Sequence, residues 1–395
     1  MSALSDLRVI DLSTGVAGPF CTKLFADFGA DVVKVESTEK VDEARTLGPF
    51  PDDSGNAEAS GMFLYLNTNK RSVTLNLGTE QGKNLFRELA ETADVVVESF
   101  PPGAMERIGL GFDALQTIRP GIVLTSVTPF GQSGPWRDYQ ATDLVQSAAS
   151  GFSYMNGVPE REPLKEPGYE SEYQAGVCAF AGTMTAVCHR DVGGSGRHVD
   201  VSILEAATST LAPQLLMALH SGVSTQRRSM GLPTGLVPCK DGYVFLNVRH
   251  EQTWQQLWRF FGEPQLADDP RFATAADRRS KSRELEEFLA PRLARYTMEE
   301  LYHGLSKLRI LVGMALDIPH LMGDPHLRER DFFVRSQHPL AGELSFPGAP
   351  FKMSKTPWML LSPAPLNGEH NEEIYTGLLG HTRKELEHWH AQGVI

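Results

Sequence analysis

The chain has 395 residues, of which 41% are hydrophobic and 22% are charged, so it is long enough for more than one domain and too apolar for a disordered protein. Its net charge of -12 disfavours a protein that binds nucleic acid or an anionic membrane, because both partners require a clustered basic surface. No apolar run reaches the roughly 20 residues that cross a bilayer, and no secretory signal is visible, so we expect a cytoplasmic protein.

The first 200 residues alternate short apolar runs with amphipathic stretches. Helices are predicted at Phe20–Phe28, with Gly29 as its C-terminal cap, and at Gly82–Ala93. Residues 104–220 otherwise have a mostly helical pattern. The alternation predicts a parallel α/β sheet, whose ligands bind outside the carboxyl ends of the strands. The predicted strands are Leu7–Leu12, Asp31–Val35, Ser72–Leu77, Asp94–Glu98, Ile122–Val127 and His198–Ser202.

The pattern changes near Leu236. A strand at Tyr243–Val248 is followed by helices near Trp254–Phe261 and Ser282–Arg295, which indicates a second, smaller domain at about 235–330. The remaining segment contains several prolines and then a helix at Arg383–Gln392.

Several common sites are missing from the sequence. There is no GxGxxG after the first strand, no GxxxxGK[ST] and no GxSxG. The sequence therefore lacks the motifs of a dinucleotide-binding site, a P-loop and a serine-hydrolase site. No zinc-ligand spacing is present, and no metal is expected. The scattered cysteines form no CxxC pair and are interpreted as buried free thiols; they are Cys21, Cys178, Cys188 and Cys239.

The order of motifs resembles that of the class III CoA-transferases, also called the CaiB/BaiF family, over essentially the whole chain. The motifs are AGPFCTKLFADFGADVVKVE, NKRSVTLNL, DVVVESFPPGAMERIGLG, GPW followed by ATDLVQSAASG, EYQAGVCAFAGTMTAV, GSGRHVDVSILEA, DPRFATAADRR and LNGEHNEEIYTGLLGHTRKELEHWHAQGVI. Each motif alone is weak evidence. Eight in the family order are strong evidence.

The resemblance implies a Rossmann-like large domain built from both ends of the chain, with a smaller α+β domain inserted. Residues 1–220 would form its N-terminal part, 235–330 the small domain, and 331–395 the return to the large domain. The resemblance also implies an interlocked, ring-like homodimer, with an acyl-CoA and a carboxylic acid acceptor as substrates and no resident cofactor.

The family nucleophile is an aspartate four residues before a glycine, and the matching residue here is Glu172, in Glu172-Tyr-Gln-Ala-Gly176. By the resemblance, its carboxylate would form an acyl anhydride and then an enzyme–CoA thioester. Compared with the family aspartate, the side chain of Glu172 is longer by one methylene group. Three alternatives stay open: Glu172 is the nucleophile, it is an acid or base in another acyl-CoA reaction, or the chain binds CoA without catalysis. Glu170 is the fallback carboxylate.

An α-methylacyl-CoA racemase is the alternative inside the family. Such members need a histidine where this chain has Thr142, which cannot exchange the proton, and the adjacent Asp143 is interpreted as structural.

The resemblance also assigns the residues that bind CoA. Arg107 would lie early in a helix and meet a phosphate, and Arg71 with Lys70, or Arg45, would replace a family arginine whose position is Ser37. The assigned CoA-binding residues are Val16, Ala17, Arg71, Leu75, Asn76, Ser99, Phe100, Pro101 and Arg107.

The segment Gly231-Leu-Pro-Thr-Gly235 matches a family loop that is richer in glycine, so an oxalate–formate specificity is not expected. Tyr154, Met155 and Tyr169 precede Glu172 and are candidates to contact the acyl chain.

Overall fold

The computed structural model describes residues 2–51, 55–222, 227 and 232–395. The chain divides into two compact units, each of which is built from separate segments of the sequence. The first contains Met1–Gly157, Arg161–Gln226 and Glu329–Ile395, and the second contains Val158–Glu160 and Arg227–Arg328.

The first unit contains a six-stranded sheet in which every neighbouring pair is parallel. Continuous apolar runs form these strands because helices cover both faces of such a sheet. The strand order is β3-β2-β1-β4-β5-β6, so the order reverses between β1 and β4 and leaves a crevice at their carboxyl ends. The strands are β1 (Arg8–Asp11), β2 (Asp31–Glu36), β3 (Arg71–Thr74), β4 (Val95–Glu98), β5 (Val123–Thr128) and β6 (His198–Ser202).

Ten helices in the described part of residues 2–222 surround the sheet. They are α1 (Ala17–Asp27), α2 (Gly61–Leu66), α3 (Glu80–Glu91), α4 (Ala104–Arg107), α5 (Phe112–Ile118), α6 (Asp143–Ala149), α7 (Phe152–Met155), α8 (Glu170–Asp191), α9 (Ile203–Ser209) and α10 (Ala212–Ser221). A 3-10 turn lies at Glu43–Thr46.

The alternation of side chains along each strand divides the interior of this unit into two hydrophobic cores. Ile10 and Val96 belong to the core that contains α3 and α5 residues, whereas Val9 and Val95 belong to the core that contains α1 and α8 residues.

The second unit has an antiparallel sheet, β7-β8-β9, and a core centred on Trp254 and Trp258, whose rings meet edge to face. Its elements are β7 (Thr234–Pro238), β8 (Tyr243–Asn247), α11 (Glu251–Phe260), α12 (Ala275–Ser280), α13 (Ser282–Leu293), α14 (Met298–Lys307), β9 (Leu311–Met314), α15 (Ile318–Gly323) and α16 (Pro325–Glu329).

The C-terminal segment belongs to the first unit. It contains the hairpin β10 (Phe333–His338) and β11 (Gly342–Pro347), a π-helical turn at Glu373–Leu378, and α17 (Arg383–Ala391). Trp389 and Ile395 enter the core beneath β1, and the backbone N–H of Asn76 donates to the carbonyl of Val394 at 2.7 Å. This unit is therefore built from both ends of the chain, and the expected Rossmann-like α/β fold is confirmed.

The observed boundaries agree with the predicted elements, with a few physical exceptions. The strand His198–Ser202 has its predicted bounds, and Gly29 follows α1 with φ +94°, as expected for a helix C-terminus. Helix α1 begins three residues before its predicted start, at Ala17, because Pro19 is tolerated within a first helical turn. Strand β3 ends at Thr74, before the predicted Leu77.

The cysteines are free thiols, but they are not all buried as expected. Cys21 is buried, whereas Cys178 and Cys188 are exposed. In the part of the chain that the structure describes, no helix is long and apolar enough to cross a membrane, and no group of His, Cys, Asp and Glu side chains could hold a metal ion.

Candidate active site

Two loops meet at the crevice between β1 and β4. The loop after β1 leads through Val16 into α1, and the loop after β4 contains Ser99 and Phe100. The backbone N–H of Thr14 donates to Ser99 Oγ at 2.9 Å, which joins the loops. The predicted residues Val16, Ala17, Ser99, Phe100 and Pro101 therefore share one edge of the sheet, at the point where its strand order reverses.

The loop after β4 is held by a buried carboxyl group. Glu98 Oε2 accepts the backbone N–H of Phe100 at 2.7 Å, and burial raises the pKa of Glu98 to about 7. The hydrogen bond turns the chain directly after the strand and so orients the following residues.

The loop after β1 lies on a network of buried charges. Lys34 Nζ is 2.7 Å from the carboxylate of Asp42 and donates to the carbonyl of Ser13 at 2.9 Å, while Asp42 Oδ1 accepts the N–H of Gly15 at 3.0 Å. Burial alone would raise the pKa of Asp11, but the ammonium groups of Lys70 and Lys34 hold it far below its ordinary value.

This network explains why two predicted phosphate ligands do not serve that purpose. Lys70 is buried, and its ammonium contacts Asp11, Thr22, Asn67 and the carbonyl of Pro19, all at 2.8–2.9 Å. Arg45 is also buried, and its guanidinium is bound by Glu36 and Glu58. Neither cation is available to a ligand.

Glu172 lies in the first turn of α8 and faces the start of α1. Its Oε2 accepts the backbone N–H of Ala17 at 3.2 Å. Gly176, one helical turn later, makes this approach possible, because a Cβ at that position would lie 2.7 Å from the carbonyl oxygen of Ala17. The glycine of the sequence motif therefore brings α8 against α1, and the carboxyl group reaches the loop that borders the crevice.

The environment of Glu172 favours its protonated form. Burial raises its pKa to about 7; the negative charges of Asp143 and Glu43 add to the rise, and the hydrogen bond from Ala17 opposes it. No lysine or arginine among the described residues forms an ion pair with Glu172. At neutral pH a substantial fraction of Glu172 is therefore ionised, with no cation of the described residues bound to the carboxylate.

Aromatic side chains form one wall beside this carboxyl group. Tyr173 packs edge to face on Phe20, with ring centroids 4.8 Å apart, and Tyr65 is 6.4 Å from Tyr173. Tyr169, which the sequence placed near the acyl chain, packs against the same cluster. The cluster contributes apolar surface next to the first turn of α8, which carries Glu172.

Three of the predicted CoA-binding residues make contacts of their own within the protein. Arg71 begins β3, at the amino edge of the sheet, where it pairs with Asp31 and Glu373, whereas ligands of parallel sheets bind at the opposite edge. Leu75 has its side chain in the hydrophobic core, and Asn76 binds Glu39 at 2.9 Å.

Arg107 is exposed, but its local setting differs from the expected one. Helix α4 spans only Ala104–Arg107, so Arg107 ends a short helix instead of lying early in a long one, and it donates to the carbonyl of Pro102 at 3.3 Å. A Cβ on Gly103 would lie 3.3 Å from Arg107 Nη1 and 3.6 Å from Arg137 Nη2. Two guanidinium groups therefore flank one turn.

Sequence reasoning missed Arg137 and Lys165. The only local signal for Arg137 was its place after the GPW turn, and Lys165 lies outside all of the motifs that carry the family resemblance. Of the segment 231–235, Gly231 lies outside the described residues, whereas Thr234 and Gly235 are the first residues of β7.

Comparisons with known proteins agree with a CoA-handling enzyme on this sheet. The sequence profile of CoA-transferase family III matches residues 4–371. The chain is 32% identical to a succinyl-CoA–D-citramalate CoA-transferase of Chloroflexus aurantiacus, over 99% of this chain and 98% of that one. It is 33% identical to a formyl-CoA:oxalate CoA-transferase of Streptomyces avermitilis, over 100% and 99% of the two chains.

A crystal structure of a CaiB/BaiF family protein from Brucella suis superimposes with a TM-score of 0.87 at 29% identity, covering 95% of this chain and 99% of that one. The fold and site thus define an acyl-CoA-dependent enzyme with a Rossmann-like domain. The chain belongs to CoA-transferase family III, and it is a CoA-transferase.

Proposed function

We propose that this enzyme moves CoA between an acyl-CoA and a carboxylic acid, with Glu172 as the carboxylate that becomes acylated. The observation that carries the proposal is the hydrogen bond from Ala17 to Glu172. It brings an ionisable carboxyl group, with no cation bound to it, to the loop at the crevice where ligands of parallel sheets bind.

In the first half of the reaction, two acyl substitutions attach first the donor acyl group and then CoA to Glu172. Its carboxylate attacks the thioester carbonyl; the carbon–sulfur bond breaks, and CoA leaves as thiolate, giving a mixed anhydride. The thiolate then attacks the Glu172 carbonyl of that anhydride and releases the donor acid as a carboxylate, leaving an enzyme–CoA thioester.

The second half repeats these steps in reverse order. The acceptor carboxylate attacks the enzyme–CoA thioester, which releases the thiolate and forms a second anhydride. Attack of the thiolate on the acceptor carbonyl gives the new acyl-CoA and regenerates the Glu172 carboxylate. No net proton is gained or lost.

The backbone N–H of Ala17 stabilises those states of the cycle in which the Glu172 oxygens carry negative charge. As a backbone donor in the first turn of an 11-residue helix, it favours negative charge on the Glu172 oxygens and on the tetrahedral intermediates that form there. It also orients the longer glutamate side chain in a family whose nucleophile is an aspartate.

For CoA, we propose that the loops Val16–Ala17 and Ser99–Pro101 border the pantetheine and that Arg107, with Arg137, meets phosphate. Two neighbouring guanidinium groups suit a phosphate, because each presents a planar fork of donors. Asn76 stays a prediction. We propose that Lys70, Arg45 and Arg71 stabilise the fold and do not bind phosphate, since carboxylates of the chain already bind these cations.

We further propose succinyl-CoA as donor and a dicarboxylic acid as acceptor, because several relatives carry these substrates in their names, including a succinate–glutarate CoA-transferase of Agrobacterium fabrum that is 30% identical over 95% of this chain. The racemase alternative has no supporting observation: Thr142 directly precedes α6 without a capping hydrogen bond from its side chain, and the adjacent Asp143 is bound to Lys165.

A homodimer is also part of the proposal. Helix α10 has no buried residue, and it exposes four large apolar side chains: Leu215, Leu216, Met217 and Leu219. An apolar surface of this kind marks an interface. Light scattering should report two chains per particle, and a monomeric particle with full activity would refute this part.

The decisive test of the nucleophile is mass spectrometry after mixing the enzyme with succinyl-CoA. We expect a succinyl or CoA adduct on the peptide that contains Glu172, removable by hydroxylamine. Glu172→Gln should lose the adduct, whereas Glu170→Gln, which alters the exposed carboxylate two residues earlier, should keep it. An adduct that persists in Glu172→Gln would refute the proposed mechanism.

A further inference from the structure

An ion pair ties α6 to the turn that leads into α8. Lys165 Nζ lies 2.6 Å from Asp143 Oδ2, and the same ammonium donates to the backbone carbonyls of Glu166 at 2.9 Å and Gly168 at 2.5 Å. Asp143 is buried, with 7% of its surface exposed. All three donors of the ammonium are thereby used to hold one turn against α6.

A second tie runs beside this ion pair. Glu166 is buried, and its two carboxyl oxygens accept hydrogen bonds from Ser147 Oγ of α6 at 2.6 Å and from Ser171 Oγ at 3.4 Å. Ser171 immediately precedes Glu172. The first turn of α8 is therefore attached to α6 through two neighbouring side chains of one short turn.

The ion pair also contributes to the electrostatic environment of Glu172. The negative charge of Asp143 raises the pKa of Glu172, so the two carboxyl groups interact. Neither oxygen of Asp143 accepts a well-oriented hydrogen bond within the described residues, which leaves the Lys165 ammonium as its compensation. Asp143 of α6 and Glu43 of the 3-10 turn act on the pKa of Glu172, and Lys165, Glu166 and Glu170 act in turn on the pKa of Asp143.

Resting on the proposed role of Glu172, we propose that Asp143 and Lys165 are a positioning pair that holds the Glu172 carboxyl at the start of α1 and sets the pH range in which it attacks a thioester. They act through Glu172 and do not touch the reacting atoms. Lys165 offsets the repulsion that Asp143 alone would exert, and its backbone contacts fix where α8 begins.

The two members of the pair should shift the reaction in opposite directions. The rate of adduct formation with succinyl-CoA is measured against pH in single turnovers. Asp143→Asn removes the negative charge and should move the midpoint of the acid limb down by about half a pH unit or more. Lys165→Met leaves Asp143 uncompensated and should move the midpoint up by a similar amount. Lys83→Met, which breaks a surface pair, should leave it in place.

The double variant Asp143→Asn/Lys165→Met tests positioning separately from charge. It leaves no unpaired buried charge, so it should fold even if a single variant does not. Its acid limb should return close to that of the wild type, while its plateau rate should fall about 10-fold or more because the turn is no longer held.

The outcomes separate this inference from the function on which it rests. A wild-type enzyme that forms no adduct would overturn the proposed function itself. If the wild type reacts but both single variants shift the limb in the same direction or not at all, the electrostatic role is refuted. A double variant with the wild-type plateau rate would refute the positioning role.

Discussion

The Oε2 atom of Glu172 accepts the backbone N–H of Ala17 at 3.2 Å, although 154 residues separate them along the chain. The bond connects the first turn of α8 to the first turn of α1. A carboxyl group in this position gains from the positive end of the helix dipole, and it lies beside the loop at which CoA is proposed to bind.

The spacing between α1 and α8 depends on the absence of a side chain at Gly176. Gly176→Ala would place a Cβ 2.7 Å from the Ala17 carbonyl, so one helix must move. We expect a loss of about 1–3 kcal/mol in the free energy of unfolding, as for an overpacked core, together with a fall in kcat. Urea denaturation and steady-state kinetics would measure both.

Gly377→Ala is the matched control for that substitution. Gly377 also lies in a helical turn, and no heavy atom lies within 4 Å of where its Cβ would be. The control should keep wild-type activity and stability. Equal behaviour of the two variants would show that the contact between α1 and α8 is not close enough to matter.

The raised pKa of Glu172 predicts opposite effects on activity and stability. Attack requires the carboxylate, so the rate of adduct formation should rise with pH around a midpoint near 7. Since the folded pKa exceeds the ordinary value, the native state binds more protons than the unfolded chain between pH 4.5 and about 7. The contribution of Glu172 to stability therefore falls as pH rises through this window.

Glu172→Gln should consequently be more stable than the wild type at pH 8, by about 1–3 kcal/mol, while it is inactive. The difference should vanish well below pH 4.5, the ordinary glutamate pKa, where the wild-type carboxyl is protonated in both states. Urea unfolding at the two pH values is the measurement. A variant that is less stable than the wild type at pH 8 would contradict the raised pKa.

Shortening the nucleophile tests how closely the site fits glutamate. Glu172→Asp withdraws the carboxyl by roughly 1.5 Å, and a displacement of about 1 Å can lower a rate ~10²-fold. We expect kcat to fall by about that factor with little change in the KM for acyl-CoA. Undiminished kcat in Glu172→Asp would indicate a site that does not discriminate between the two carboxylates.

Lys70 belongs to the buried charge network beside the loop after β1. Its replacement should lower the stability of the fold more than the affinity for CoA. Lys70→Met leaves Asp11 buried without its closest cation, and breaking a buried pair costs about 3–5 kcal/mol. Arg71→Met, next in the sequence but partly exposed, should change stability by about 1 kcal/mol or less. Thermal unfolding of both variants would show whether the network around the first loop has this strength.

Arg107 and Arg137 are expected to act on affinity for CoA. Replacing either by Ala should raise the KM for acyl-CoA about 10-fold and leave kcat nearly unchanged, because the lost contacts exist equally in the ground and transition states. Arg119→Ala, which alters an arginine paired with Asp94 before the amino end of β4, is the control. A fall in kcat at constant KM would argue against a phosphate role.

The sequence by itself determined the family and the parallel sheet, and it supplied Glu172 as the proposed reactive carboxylate. These depend on local information: buried strands appear as short apolar runs, and the motif around Glu172 and Gly176 is contiguous in the chain. The strand His198–Ser202 and the end of α1 at Gly29 were predictable for the same reason, since residues close in sequence decide them.

Only the tertiary structure decided which cations are available and how Glu172 is held. In the sequence, Lys70, Arg71 and Arg45 look equally suitable as phosphate ligands. In the structure, Lys70 and Arg45 are buried, and carboxylates from other segments bind all three cations. The ion pair of Asp143 with Lys165 joins α6 to the irregular segment that precedes α8, and that segment has no periodic sequence pattern. Charge compensation of this kind depends on distances in space, which spacing along a chain does not specify.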